Sequence, residues 1–243
     1  MQIYSNLYYQ SNINSKGKIK PSDVKCCKDN AKELINLDFW NKYCTYPVRN
    51  YQKPVNFEKI KGLKIPNLKQ IDNKGFRGES LSSNRNAKFL SQIKKNGISQ
   101  VIDLRTADTT NRYKINCKEH GLTYHHIPID AQTTSDREIL DNLPKLFKLL
   151  ENGNFYIACA QGKHRTDIAL ALNYLFNPKH SKTPPEMIGH VKNGKMRCQD
   201  IFTRANSLYK EMTPQDKQML GWTEKFDKEF KLRKQELVKF NEQ

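Results

Sequence analysis

Residues 155–176 set the tightest limit on the fold. Phe155-Tyr156-Ile157-Ala158 is a short apolar run of strand character, Ile168 to Phe176 is a nearly all-apolar helix, and Cys159-Ala160-Gln161-Gly162-Lys163-His164-Arg165-Thr166 joins them. A strand, a turn and a buried helix in that order leave the first N–H groups of the helix without intrahelical acceptors, and they aim the helix dipole at whatever the turn encloses. A cysteine and an arginine in the spacing C-x5-R can close one turn of backbone around an oxyanion, with sulfur below and the guanidinium fork gripping two oxygens. The segment reads as an anion cradle.

The flanking sequence supplies layers to carry it. From Phe76 onward, compact apolar runs alternate with amphipathic segments at helical spacing, the pattern of an α/β layer fold. Ala87, Leu90 and Ile93 share one helical face that ends at Asn96-Gly97, and a strand follows over Gln100 to Leu104. A short helix before His120-Gly121 leads to a second strand, Leu122 to Ile129, with Asp130 at its end. Ser135-Asp136-Arg137-Glu138 reads as a capping box for a helix carrying Ile139, Leu143, Leu146, Phe147 and Leu150 on one face. Beyond Pro178 the pattern is helical, with Ile201, Ala205, Leu208 and Met212 on one face and Trp222, Phe226 and Phe230 on another.

The predicted fold class is α/β: a central, mostly parallel sheet flanked by helices, with N-terminal and C-terminal extensions. Residues 1–70, polar and punctuated around short apolar pieces such as Leu34 to Trp40, are expected to pack on the core only in part. Residues 71–182 form the core and 183–243 a C-terminal helical part.

No apolar run approaches the roughly 18 residues of a membrane helix, and Met1-Gln2-Ile3-Tyr4-Ser5 has neither a basic nor an apolar leader, so no signal peptide or anchor is expected. The 6 cysteines lie at irregular spacings, with Cys26-Cys27 the sole close pair, which suits reduced thiols in a cytoplasmic setting better than disulfides or a zinc site. Lys and Arg number 42 against 25 Asp and Glu, a formal +17 that draws acidic ligands. Phosphorylated substrates or an anionic lipid surface fit that charge. For nucleic acid there is no recognised motif, only diffuse charge.

A free cysteine titrates near ~8.5, so a nucleophile at neutral pH needs a helix N-terminus, nearby cations or hydrogen-bond donors. Here Lys163, His164 and Arg165 stand at the mouth of the turn, Gly162 lets the backbone curl, and Thr166 is placed to donate to the thiolate. Attack of Cys159 on phosphorus and hydrolysis of the phosphocysteine by water requires neither metal nor cofactor. The leaving oxygen needs a proton from an acid on a separate loop. Asp130 is the candidate, because it sits just before Ala131-Gln132-Thr133-Thr134; Asp136 is its rival, held back by its place in the cap.

Together the 159–166 segment, Val101-Ile102-Asp103-Leu104-Arg105, Phe76-Arg77-Gly78-Glu79-Ser80 and Ile127-Pro128-Ile129-Asp130 resemble the cysteine-based protein tyrosine phosphatase superfamily, in its dual-specificity branch. The similarity covers residues 74–180, and Gly162-Lys163-His164-Arg165-Thr166 is similar to the loop of atypical members, some of which act on inositol pyrophosphates. The resemblance implies Cys159 as nucleophile, Arg165 as phosphate clamp and Asp130 as acid, with Ala160, Gln161, Gly162, Lys163 and His164 lining the phosphate. Two positions depart from the family: Ala158 stands where His usually precedes the cysteine, and Asp167 where Gly usually follows the threonine. A carboxylate facing inward from position 167 would oppose thiolate formation.

The expected activity is cysteine-dependent hydrolysis of phosphomonoesters in proteins. The alternatives are an inositol (pyro)phosphate or phosphoinositide phosphatase, and a phosphate-binding module without turnover. Arg77 and Arg105 are expected in buried ion pairs rather than on substrate. Gln199, by resemblance, is a candidate for orienting water, though a surface amide is the simpler reading. Cys117, by resemblance, is a candidate disulfide partner of Cys159, against a plain core thiol.

Overall fold

The structure is a computed structural model that describes residues 54–106, 110–130, 134–180, 183–197 and 199–243. Expectations that fall on residues 1–53, on Ala131 to Thr133 and on Cys198 lie outside the described residues.

A five-stranded sheet has the order β1-β2-β5-β3-β4, built from β1 (Lys69–Ile71), β2 (Gly75–Glu79), β3 (Gln100–Asp103), β4 (Thr123–His126) and β5 (Phe155–Cys159). β1 pairs antiparallel with β2, and every other pairing is parallel. β5 lies between β2 and β3, with Ala158 in register with both Gly78 and Asp103. That central position explains its unbroken apolar sequence, since a parallel strand covered on both faces has no polar side to show. The structure thus has the α/β class expected, with a mostly parallel sheet and helices on both faces.

On one face Phe76, Val101, Tyr156 and Ala158 meet α1 (Phe57–Lys61), α2 (Asn84–Lys95) and α3 (Thr110–Glu119) through Ile60, Leu90, Ile93, Tyr113 and Cys117. On the other, Ile102, Phe155, Ile157 and Cys159 meet α4 (Asp136–Asn152) and α5 (His164–Phe176). α6 (Gln199–Glu211), α7 (Pro214–Leu220) and α8 (Glu224–Asn241) complete that layer through Ile201, Leu208, Leu220, Phe226 and Phe230. Arg233 of α8 is buried and donates to the carbonyl of Asn177 at 3.1 Å, which satisfies an acceptor at the buried C-terminal end of α5. None of the described helices is long and apolar enough to cross a membrane.

Several sequence boundaries move. The strand expected over 122–129 is a ladder only from Thr123 to His126, and Pro128 beyond it has no N–H to donate. β5 runs one residue further, to Cys159, and α5 begins at His164 rather than Ile168. Only one half of the capping box is made: the Ser135 side chain accepts from Glu138 N, with no return bond from Glu138. Residues 57–70, read as part of an extension, contribute α1 and most of the edge strand β1, and the isolated Ile60 and Ile65 both reach the core. The stretch after Pro178 is not wholly helical: β6 (Val191–Lys192) and β7 (Lys195–Met196) form a separate two-stranded hairpin.

Candidate active site

Cys159 ends the central strand at the carboxyl edge of the sheet, where parallel α/β folds present their loops to ligands. It is 4% exposed. The residues between it and α5 have their carbonyls turned outward and fastened. Ser80 N donates to the Cys159 oxygen at 3.0 Å and to the Ala160 oxygen at 3.4 Å. Asn67 Nδ2 donates to the Gln161 oxygen at 2.9 Å. Arg77 Nη2 donates to the Gly162 oxygen at 2.9 Å and the Lys163 oxygen at 3.2 Å.

The N–H groups from Ala160 to Thr166, by contrast, donate to no acceptor among the described residues. With the carbonyls committed to the scaffold, these donors are left for a ligand, and the N-terminus of α5 adds its dipole. The turn lies hard against β2. A Cβ on Gly162, whose φ is +68°, would come within 2.2 Å of the Gly78 carbonyl, so no side chain fits there.

Behind the turn sits a buried ionic cluster. Asp167 is fully buried, and its carboxylate is paired with Arg77. It also accepts from the N–H groups of Ile188 at 3.1 Å, Gly189 at 2.7 Å and His190 at 3.1 Å, with His190 Nδ1 at 2.9 Å. The carboxylate therefore straps the 188–190 segment to the back of the turn instead of facing the cradle. Burial works to push its carboxyl up, but His190, Arg77 and the Ile188 N–H outweigh that and hold it below the ordinary aspartate range. At position 167, where the sequence departs from the family, the carboxylate is thus turned to Arg77 and the 188–190 segment.

At the mouth, Arg165 Nε lies 3.5 Å from Asp130 Oδ2, and both side chains are partly exposed, at 28% and 23%. Asp130 is fixed by its backbone: its N–H donates to Thr134 Oγ1 at 3.1 Å and its carbonyl accepts from Arg204 Nη2 at 3.2 Å. Asp136 is instead occupied by Arg204 and Ser207 of α6. Ala160 and Gln161 are exposed and Lys163 half-buried in the turn between Cys159 and α5, and His164 is exposed as the first residue of α5. Thr166 differs from expectation. Its hydroxyl is buried with no hydrogen-bond partner, so it does not donate to Cys159 here, although it sits in the first turn above it.

The remaining candidates separate. Arg105 binds Asp103 through Nε at 2.9 Å and Nη2 at 2.8 Å, reaches Ser82 Oγ at 2.8 Å, and like Arg77 serves structure. Cys117 lies on the face opposite Cys159, and burial pushes its thiol up to about 12, which leaves a core thiol rather than a disulfide partner. Ala158 is buried on that same opposite face, where its methyl packs in the core. Gln199 is exposed at the start of α6. Among the described residues no group of His, Cys, Asp and Glu could hold a metal ion. Sequence reasoning missed Asn67, Ser80 and His190 as parts of the site, because each joins it from a distant segment.

No protein-family model matches the chain, and no curated protein matches it. Among solved structures, TpbA from P. aeruginosa is similar at 18% identity and a TM-score of 0.37, over 46% of this chain and 64% of its own. The chain thus spans less than two thirds of that protein. A putative phosphatase from Shewanella putrefaciens aligns at 16% identity and 0.42, over 72% of this chain and 98% of its own. The core catalytic domain of a PP-IP phosphatase from S. cerevisiae aligns at 14% identity and 0.38, over 71% and 95%.

Proposed function

We propose that the chain is a cysteine-dependent phosphatase that hydrolyses phosphomonoesters through a phosphocysteine. The observation that carries this reading is the turn after β5, whose carbonyls are tied outward and whose N–H groups are unclaimed around a cysteine at a helix N-terminus. In this reading the N–H groups of Ala160 to Arg165 and the Arg165 fork hold the phosphoryl oxygens, and the thiolate of Cys159 attacks phosphorus. The P–O bond to the alcohol breaks as the P–S bond forms, and Asp130 gives its proton to the leaving oxygen. Water then attacks phosphorus and passes a proton back to Asp130. The P–S bond breaks, which releases inorganic phosphate and restores the thiolate. The Thr166 hydroxyl, buried and unpartnered, is the donor that the returning thiolate would engage.

Arg165 contacts Asp130, so substrate entry exchanges that pairing for the phosphate and leaves Asp130 beside the leaving oxygen. Asp130→Asn is expected to lower kcat about 10²–10⁴-fold on alkyl phosphates. The loss on aryl phosphates with acidic phenols is expected to be much smaller, since such oxygens depart without a proton. Equal losses on both would move the acid role elsewhere, and Asp136→Asn serves as the comparison.

The exposed His164 and half-buried Lys163 favour one variant of this reading, hydrolysis of an inositol (pyro)phosphate or phosphoinositide rather than a phosphoprotein. Turnover of a panel of phosphopeptides, inositol phosphates and phosphoinositides tests it. The highest kcat/KM on phosphopeptides would argue for protein substrates. Phosphate binding without turnover on any substrate would leave the module reading.

A further inference from the structure

Beside the cradle stands a feature that its chemistry does not use. In the β6–β7 hairpin Lys192 pairs directly with Lys195 across the ladder. Like charges in directly opposed cross-strand positions repel. The turn between them, Asn193-Gly194, has φ of 53° and 70°, the left-handed pair of a tight two-residue hairpin, so the two lysines are held in directly opposed backbone positions. Neither lysine has an ion-pair partner among the described residues, and the sequence from 187 to 197 contains no Asp or Glu. Both side chains are exposed, as is Arg197 just beyond.

The hairpin is anchored at both ends. Met196 is buried, its N–H donates to Glu242 Oε1 at 3.1 Å, and Arg197 N donates to the His190 carbonyl at 2.6 Å. The other end leaves the strap that Asp167 holds, and this strap lies against the cradle. A Cβ on Gly189 would come within 3.0 Å of His164 N and 3.1 Å of Lys163 Cβ. An arm with opposed lysines is thereby rooted beside Lys163 and His164 at the flank of the turn.

We propose that the β6–β7 hairpin is a second anion site, with Lys192 and Lys195 as specificity residues for substrates that carry a further phosphoryl group beside the one cleaved. The proposal rests on the phosphatase reading of the turn. An oxyanion held between the two ammonium groups would replace their repulsion with two charge-assisted bonds.

The full chain and its Lys192→Gln/Lys195→Gln variant are compared on an aryl monophosphate, on a sugar monophosphate with the matching bisphosphate, and on a singly with a doubly phosphorylated peptide. The variant is expected to lose roughly 10-fold in kcat/KM on a doubly phosphorylated substrate, chiefly through KM. Monophosphates should be unaffected and the melting temperature no lower. The sugar and peptide arms separate the two sources of the second phosphoryl group. Unchanged kinetics on both bisphosphorylated substrates, or equal losses on mono- and bisphosphates, overturns the proposal. If the unmutated chain turns over nothing, the phosphatase reading fails separately, and calorimetry then judges the hairpin. Weaker pyrophosphate binding by the variant with inorganic phosphate binding unchanged supports the second site, and equal pyrophosphate binding overturns it.

Discussion

Cys159→Ser is expected to lower turnover of every phosphomonoester by at least ~10³-fold while leaving phosphate binding within a few fold. The two effects separate because different atoms produce them. In the proposed mechanism binding rests on the N–H groups between Ala160 and Thr166, on Arg165 and on the α5 N-terminus, and the substitution alters none of these. The same mechanism assigns the bond to phosphorus to the side chain at 159 alone. A serine hydroxyl is a weak nucleophile unless a base adjoins it, whereas a thiol ionises within reach of neutral pH. Steady-state kinetics over about pH 5–8 and calorimetry with inorganic phosphate check both halves. Turnover within ten-fold of the unmutated chain would remove Cys159 from the chemistry. Loss of phosphate binding would mean that the thiol itself shapes the cradle.

Asp167→Asn is expected to have the largest effect on stability. The pair it forms with Arg77 has side chains 2% and 0% exposed, and removing one charge from a buried pair leaves the other uncompensated, at a cost of about 3–5 kcal/mol. For a folded unit of this size that corresponds to a fall in melting temperature of about 6–20 °C. The same substitution weakens the strap at 188–190, and Arg77 is the donor that holds the Gly162 and Lys163 carbonyls. Phosphate affinity should therefore fall together with stability, although Asp167 does not face the cradle. A melting temperature within about 2 °C of the unmutated chain would show that Arg77 finds other acceptors.

The effect has a definite pH dependence. Asp167 is held below its unfolded pKa, so its stabilisation is fully present above the unfolded value near ~3.9 and is lost as pH falls through the folded value. The deficit of Asp167→Asn relative to the unmutated chain should be full near neutral pH and should shrink below about pH 4. Denaturant titrations on either side of that value measure it. A deficit that grows with acid would contradict the assignment.

The cradle was readable in the sequence because it is local: strand, turn and helix lie within residues 155–176, and their apolar patterns mark the turn between them. Cys159, Arg165 and the loop residues between them needed no tertiary information to be placed together. Asp130 was readable for a similar reason, since Pro128 and the Ser135 cap bracket its loop. What holds the turn open was not readable. Arg77 was expected in a buried ion pair, but its partner Asp167 was not; Asn67 reaches the turn from before β1 and the His190 strap from beyond α5, and each was one polar residue among many in a lysine- and asparagine-rich chain. Asp167 could be flagged only as a departure, because its direction depends on a helical phase that one residue of boundary error reverses. The hairpin was the avoidable omission. Asn193-Gly194 is a strong two-residue turn signal, but strands of two residues on either side left no alternation to confirm it.

The most direct test is to catch the intermediate. The Asp130→Asn variant, mixed with an aryl phosphate and quenched in acid within the first turnovers, is digested and each cysteine peptide weighed. The proposed mechanism requires a phosphoryl group on Cys159 that disappears with time once the substrate is exhausted. Turnover without any adduct on Cys159, or an adduct on another side chain, would contradict it.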